Sequence, residues 1–284
     1  MKNILVPVDF SAVSKNALEF AIKIAQSFKS KITLFHAVQP SFITSDMGGF
    51  IYPESEKEEM LKLFEKMDQL IGFINAHNIT ADKIIRKGLL SGDDIADLVE
   101  TEKVDLIITG THGAKGLEAF FLSTNSVTIS EKVKCPVLIV PLTASYHHIK
   151  KIMYATDFQY EDLHEIDKIS KLASLCNAQI IVTHINNDPK KFIEEENNMN
   201  WFAVIGSSIL SYENIIYKLI YNENVIDAIE DAITDLDVDI LCMSTVEKKF
   251  FKKMVSKNSV KKMAFNSKIP LVSLHLSKDD RLVL

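Results

Sequence analysis

Val104 to Val127 reads VDLIITGTHGAKGLEAFFLSTNSV. Its opening, Val104 to Thr109, is apolar and β-branched, the pattern of a strand buried on both faces of a parallel sheet. Gly110 and Gly113 follow at the carboxyl end of that strand. Ser123-Thr124-Asn125-Ser126 then supplies hydroxyl and amide caps for a helix predicted to run to about Lys134. Strand, glycine turn and capped helix are the parts of a phosphate site. Glycines admit close backbone approach, and a helix N-terminus offers unpaired N–H donors and partial positive charge.

Upstream, apolar strands and amphipathic helices alternate. A strand is predicted over Asn3 to Val8, closed by Asp9, and Ser11 is placed to cap the helix that follows. Val13, Ala17, Leu18, Ala21, Ile22, Ala25 and Phe28 share one face of that helix. KITLFHAV, Lys31 to Val38, forms a second strand, and Gln39 to Pro53 a long loop. A helix over about Glu54 to His77 is expected to bury Met60, Leu61, Phe64, Met67, Leu70, Ile71 and Ile74. A strand near Lys83 to Lys87 ends at Gly88, Asp93 and Asp94 open a short helix, and VLIVP, Val137 to Pro141, closes the unit. Such alternation predicts an α/β fold, an open parallel sheet with helices on both faces.

The unit then begins again. KIMYATDFQ, Lys151 to Gln159, repeats KNILVPVDFS, Lys2 to Ser11, pairing Asp157 with Asp9. QIIVTHI, Gln179 to Ile185, repeats KITLFHA and pairs His184 with His36, both pairs being 148 positions apart. VDILCMST, Val238 to Thr245, repeats VDLIITGT, and KNSVKKMAFNSKIPLVSL, Lys257 to Leu274, repeats TNSVTISEKVKCPVLIV. Ordered self-similarity predicts two tandem domains of one fold, residues 1–145 and 146–284, divided in ASYHHI, Ala144 to Ile149. Val137 to Pro141 and Pro270 to Leu274 are expected to pair within the chain, hiding two sheet edges.

Composition narrows the function classes. The 284 residues are 47% hydrophobic and 25% charged, as in a soluble globular protein. A net charge of −6 argues against a nonspecific nucleic-acid binder. No apolar run reaches the length of a membrane span, and MKNILVPVDFS does not read as a signal peptide. Cys135, Cys176 and Cys242 are widely spaced and odd in number, which fits buried thiols in a reducing cytoplasm. His36 and His184 occupy equivalent strand positions suited to packing within the strand. His147-His148 has no carboxylate or cysteine nearby in sequence at ligand spacing.

The VPVDFS opening, the GTHG…STNS loop and the CPVLIVP strand resemble those of the universal stress protein family, and the order of elements resembles a tandem two-domain member. The resemblance implies a Rossmann-like, adenine nucleotide alpha hydrolase-like fold in each domain. The nucleotide-binding branch of the family carries G-x2-G-x9-G-[ST]. Gly110, Thr111-His112 and Gly113 match its start, and nine residues then lead to Ser123-Thr124, with Ser123 in place of the third glycine. By position, the resemblance places adenosine beside Asp9, adenine against the backbone of Ala37 or Val38, and phosphates on Gly110, His112, Gly113, Ser123, Thr124 and Asn125. The implied ligand is ATP or another adenine nucleotide, with Mg2+ as an accompanying ion, and the implied activity is regulatory binding in the cytoplasm rather than catalysis. Homodimerisation beyond the internal pseudo-dimer is a further implication of the resemblance.

The residues themselves support a similar site at the carboxyl ends of the strands, where Asp9, Val38, Gly88 and Gly110 gather. They leave alternatives open: Asp9 as a helix cap only, and Gly110 and Gly113 as turn glycines only. A slow ATP hydrolase or autokinase would have only Asp9, His112 and the Ser123–Thr124 hydroxyls to use, without a Walker lysine. A ligand-free scaffold is the third reading. The second copy reads Met243-Ser244-Thr245-Val246-Glu247, with no glycine equivalent to Gly110 or Gly113, so it is not expected to bind ATP in the same way. Lys248, Lys249, Lys252, Lys253, Lys257, Lys261 and Lys262, interleaved with Phe250 and Phe251, form either a solvated face or a surface for an acidic partner.

Overall fold

The structure, a computed structural model, describes residues 1–38, 43–44, 50–51, 55–87, 92–111, 133–244 and 268–274. The first half runs β1 (Asn3–Pro7), α1 (Ala12–Phe28), β2 (Lys31–Val38), a short ribbon of β3 (Ile43–Thr44) and β4 (Phe50–Ile51), then α2 (Ser55–Asn75), β5 (Ala81–Lys87), α3 (Gly92–Thr101), β6 (Leu106–Gly110) and β7 (Val137–Val140). The second runs β8 (Lys151–Ala155), α4 (Tyr160–Cys176), β9 (Gln179–Asn186), α5 (Phe192–Ile209), β10 (Ile215–Tyr221), α6 (Val225–Asp235), β11 (Ile240–Ser244) and β12 (Leu271–Leu274).

Ten strands make one sheet in the order β10-β9-β8-β11-β12-β7-β6-β1-β2-β5. Each half is parallel throughout, with β1 between β2 and β6, and β8 between β9 and β11. The halves meet where β7 and β12 pair antiparallel, Leu138 opposite Val272. The two outer strands thereby cover each other's edges, as the repeat suggested.

An antiparallel join relates the halves by a twofold normal to the sheet, so equivalent helices lie on the same face. The core follows that rule. One buried cluster runs beneath α1, α2, α4 and α5 across both halves, whereas α3 and α6 cover two separate clusters on the other face. β1 and β8 carry buried side chains on both faces, which is why their sequences read as unbroken apolar runs.

Local signals account for the helix ends. Ser11 is the N-cap of α1 and its Oγ accepts from the Ser14 N–H at 3.2 Å. Lys29 closes α1 in the left-handed region, φ 53°. Asp93 and Asp94 lie in the first turn of α3. In α2 the expected apolar face is corrected. Leu63, Met67 and Ile74 are buried, while Leu61 and Phe64 are exposed. α2 flanks the outer strands of the sheet, where only a narrow stripe meets the core, and Phe64 lies instead under the Lys83 ammonium, 5.2 Å from its ring centre.

Candidate functional site

In a doubly wound sheet the ligand crevice opens at the carboxyl ends of the two strands from which the connections depart in opposite directions. In the first half those strands are β1 and β6. Asp9 stands just past the end of β1 and Gly110 ends β6. Ala37 and Val38 end the neighbouring β2, where they pair with Arg86 and Lys87 of β5. The described members of the predicted site therefore converge on one edge. His112, Gly113, Ser123, Thr124 and Asn125 lie outside the described residues, as do Gly88, the helix predicted from Ser123 and the Lys248 to Lys262 cluster.

Asp9 has a structural task. Its Oδ1 accepts from the Ser11 N–H at 3.0 Å and from the Ser11 hydroxyl at 2.5 Å, shaping the turn into α1. Gly110 also has one. A Cβ there would meet Val13 Cγ1 at 2.2 Å and the Val13 carbonyl oxygen at 3.0 Å. The glycine thus lets the first turn of α1 close onto β6. Close approach is the reason for it, in place of the positive φ expected of a turn glycine.

Phe10, the residue after Asp9, lies in the left-handed region at φ 64°, and its equivalent Phe158 at φ 56°. A bulky side chain there costs about 1–2 kcal/mol, so the fold must hold it. Each ring packs on the histidine of the next strand: Phe10 on His36 at 5.2 Å and Phe158 on His184 at 4.9 Å. His36 Nδ1 lies 2.6 Å from the Val8 carbonyl oxygen and His184 Nδ1 2.7 Å from that of Thr156, where an N–H tautomer donates. The two histidines therefore tie neighbouring strands together, rather than packing within one strand. Above these pairs the halves diverge. Lys66 of α2 sits 5.5 Å from the Phe10 ring centre, whereas Phe202 of α5 packs on Phe158 at 5.5 Å. The Lys66 contact was not legible in the sequence, since nothing local in α2 distinguishes it from other solvated lysines.

The second crevice, between β8 and β11, is filled by its own side chains. Asp162 and Glu165 of α4 are buried, as are Tyr154, Thr156 and Ser244. The Tyr154 hydroxyl contacts both Asp162 and Glu165. The Thr156 hydroxyl and the Gln159 N–H donate to Asp162 Oδ2 at 2.7 and 3.1 Å, and the Ser244 hydroxyl donates to Glu165 Oε1 at 2.9 Å. Burial, then the two carboxylates, holds the Tyr154 phenol well above its usual range. The end of β9 is covered as well. Asn186 accepts from the Asp188 and Asn222 N–H groups, and Glu195 of α5 comes within 3.3 Å of His184 Nε2. Asp157 lies 3.8 Å from the same imidazole.

Other sequence expectations are settled more simply. All three cysteines are buried and free of disulfides, and burial pushes the Cys135 thiol up to about 12. His147 finds a carboxylate partner far away in sequence: its Nε2 lies 2.5 Å from Asp239 Oδ1, a residue brought there by the sheet. Among the described residues, no group of His, Cys, Asp and Glu is placed to hold a metal ion, and no helix is long and apolar enough to cross a membrane.

Two doubly wound half-sheets joined edge to edge define a tandem α/β protein of Rossmann-like fold. The model of the universal stress protein family matches residues 1–141. Universal stress protein MJ0531 of Methanocaldococcus jannaschii is 31% identical over 145 residues, spanning 49% of this chain and 81% of that protein. Universal stress protein Sll1388 of Synechocystis is 28% identical over 148 residues, spanning 48% of this chain and 96% of its own. The crystal structure of a universal stress protein from Archaeoglobus fulgidus superposes with a TM-score of 0.68, covering 98% of this chain and 97% of that one. At 16% identity that likeness is one of fold. The chain belongs to the universal stress protein family.

Proposed function

We propose that the chain is a stress-response protein of the cytoplasm that binds one adenine nucleotide, in the first of two domains spanning residues 1–145 and 146–284. The observation that carries this reading is the contrast between the two crevices. Positions occupied by Asp162 and Glu165 in the second are Ser14 and Ala17 in the first, so no equivalent carboxylate repels a phosphate there. An adenosine lies beside Asp9, whose carboxylate accepts from an amine or ribose hydroxyl. Adenine meets the backbone at Ala37 and Val38, and the phosphates meet Gly110, His112, Gly113, Ser123, Thr124 and Asn125. Uncharged residues at positions 14 and 17 and a carboxylate at the rim fit such a ligand, and the glycine and hydroxyl residues supply donors for phosphate oxygens. Mg2+, where it accompanies the nucleotide, neutralises phosphate charge. The role is regulatory binding, with no catalytic residue assigned.

Isothermal titration of the full chain with Mg-ATP, ADP and AMP tests the reading. One site per chain is expected, with affinity reduced at least tenfold by Asp9→Ala and unchanged by Asp157→Ala. Two sites per chain, or loss of binding in Asp157→Ala alone, would sink it. Unchanged binding in a folded Asp9→Ala variant would remove Asp9 from the site.

A further inference from the structure

The two ends of the ten-stranded sheet are equivalent in fold and opposite in surface chemistry. At one end α2 packs on the outermost strand β5, and at the other α5 packs on the outermost strand β10. The outward face of α2 carries Glu58, Lys62, Glu65 and Asp68, all exposed. Beside it β5 reads ADKIIRK, with charges at Asp82, Lys83, Arg86 and Lys87. Charges of this kind keep the edge of a sheet from pairing with other chains.

The other end lacks these charges. From Asn197 to its last residue α5 carries none, and β10 reads IIYKLIY, with Lys218 as its single charge. Opposite the buried Phe202 and Gly206, helical spacing sets Ile193, Asn197, Asn200, Trp201, Val204 and Ser208 on one outward face. Ile193, Trp201 and Val204 are 74%, 58% and 68% exposed. The hydroxyls of Ser207 and Ser208 donate to the Val204 and Ile205 carbonyl oxygens at 2.8 and 2.7 Å. Both serines can therefore be covered without leaving a donor unpaired.

We propose that this face of α5 joins two copies of the chain, each α5 packing on the same helix of the other across a twofold axis, with Trp201 and Val204 at the centre. Charge selects that occupant. Near a twofold axis each residue meets its own copy, so any charge there meets a like charge. A face for an unlike protein is free to carry charge and gains rate and specificity from it, yet this one carries none. Area agrees. Ile193, Trp201 and Val204 present on the order of 400 Å² of apolar surface, the size of a functional patch on a monomer. The asparagines and serines around them extend it to the roughly 500 Å² per copy that a specific interface requires. The edges of β7 and β12 are already spent on each other within the chain, so a second copy has to be met on another surface. The contact is independent of nucleotide binding in the first half.

Sedimentation velocity of the full chain at micromolar concentration tests this, and a dimer is expected. Trp201 is the single tryptophan of the chain, so its emission should move to longer wavelength as dilution releases the monomer. Trp201→Glu combined with Val204→Asp sets like charges against each other at the axis and should weaken association at least about 100-fold. Leu61→Asp, at an exposed apolar position of α2, should leave the dimer intact. Circular dichroism establishes that each variant is folded, and if the double variant is not, Ile193→Asp at the far end of the face decides. A monomeric wild type, a dimer that persists in the folded α5 variants, a dimer lost in Leu61→Asp, or a Trp201 emission that stays fixed while the mass halves would each overturn the proposal.

Discussion

The crevice between β1 and β6 and the crevice between β8 and β11 share a backbone and differ in side chains. Val6, Val8, Ser14, Ala17 and Gly110 in the first become Tyr154, Thr156, Asp162, Glu165 and Ser244 in the second. The second set contacts itself: hydroxyls and one backbone N–H serve the two buried carboxylates. The first set is nearly apolar and leaves polar work to the residues at the rim. A duplicated fold can thus fill one of two equivalent crevices with its own polar side chains without moving a strand. The exchange needs only that each buried acid gain its own donors, since a buried carboxylate without them costs several kcal/mol.

The largest test of that contrast is Asp162→Ala. It deprives Thr156 and the Gln159 N–H of their acceptor and Tyr154 of one of its two, and should destabilise by about 3 kcal/mol or more in chemical denaturation. Its counterpart Ser14→Ala, whose hydroxyl donates to the Ser11 carbonyl at 3.1 Å, should cost about 1 kcal/mol. Equal losses would mean that the acid pair is not what holds the second crevice together.

A smaller effect separates Gly110 from Ser244. Gly110→Ala forces Val13 and the first turn of α1 away, an overpacking cost of about 1–3 kcal/mol read as a lower melting temperature. Ser244→Gly removes the donor to Glu165 Oε1, a loss of about 1 kcal/mol. A melting temperature for Gly110→Ala that matches wild type would contradict the close approach of α1 to β6.

The smallest effect concerns a device shared by both halves. Asp105 accepts from the N–H groups of Lys2 and Asn3, and Asp239 from those of Lys150 and Lys151, but among the described residues only Asp239 also meets a histidine, His147. That hydrogen bond raises the His147 pKa. Burial works to raise Asp239, but its bonds to Lys150, Lys151 and His147 outweigh burial and hold it below its ordinary value. For His147 the stabilisation is full below the unfolded pKa of about 6.5 and is lost as pH rises through the higher folded value. For Asp239 it is present above about 3.9 and lost as pH falls through the lower folded one. His147 is exposed, so His147→Ala should cost less than about 1 kcal/mol near pH 5.5 and nothing in alkaline buffer. A cost that grows with pH would reverse the assignment.

Much of this architecture is legible in the chain. Every strand of the ten-stranded sheet except β10, α1 with its Ser11 cap, the acidic start of α3 and the two-copy register follow from periodicity, capping chemistry and self-similarity, whereas β3 and β4 lie in the stretch read as a loop. Those signals act between residues a few positions apart, or repeat at a fixed interval, and so survive in one dimension. The buried face of α2 did not follow, because Leu61 and Phe64 are as apolar as Leu63 and only the limits of the sheet decide which of them it covers. The pairing of His147 with Asp239 was hidden by the 92 positions between them. The left-handed Phe10 and Phe158 gave no sign either, since phenylalanine is a poor candidate for that backbone and the histidine that supports it comes from the next strand.

Asp9, Ala37, Val38 and Gly110 could be placed at one sheet edge from strand ends alone, because parallel strands with right-handed connections leave little choice of where those ends meet. Which of two equivalent crevices is occupied by its own carboxylates required the folded chain. It depends on contacts between side chains from separate elements, such as Ser244 with Glu165. Hydrophobic pattern carries no record of them, for it dictates that a residue is buried and leaves open what it is buried against.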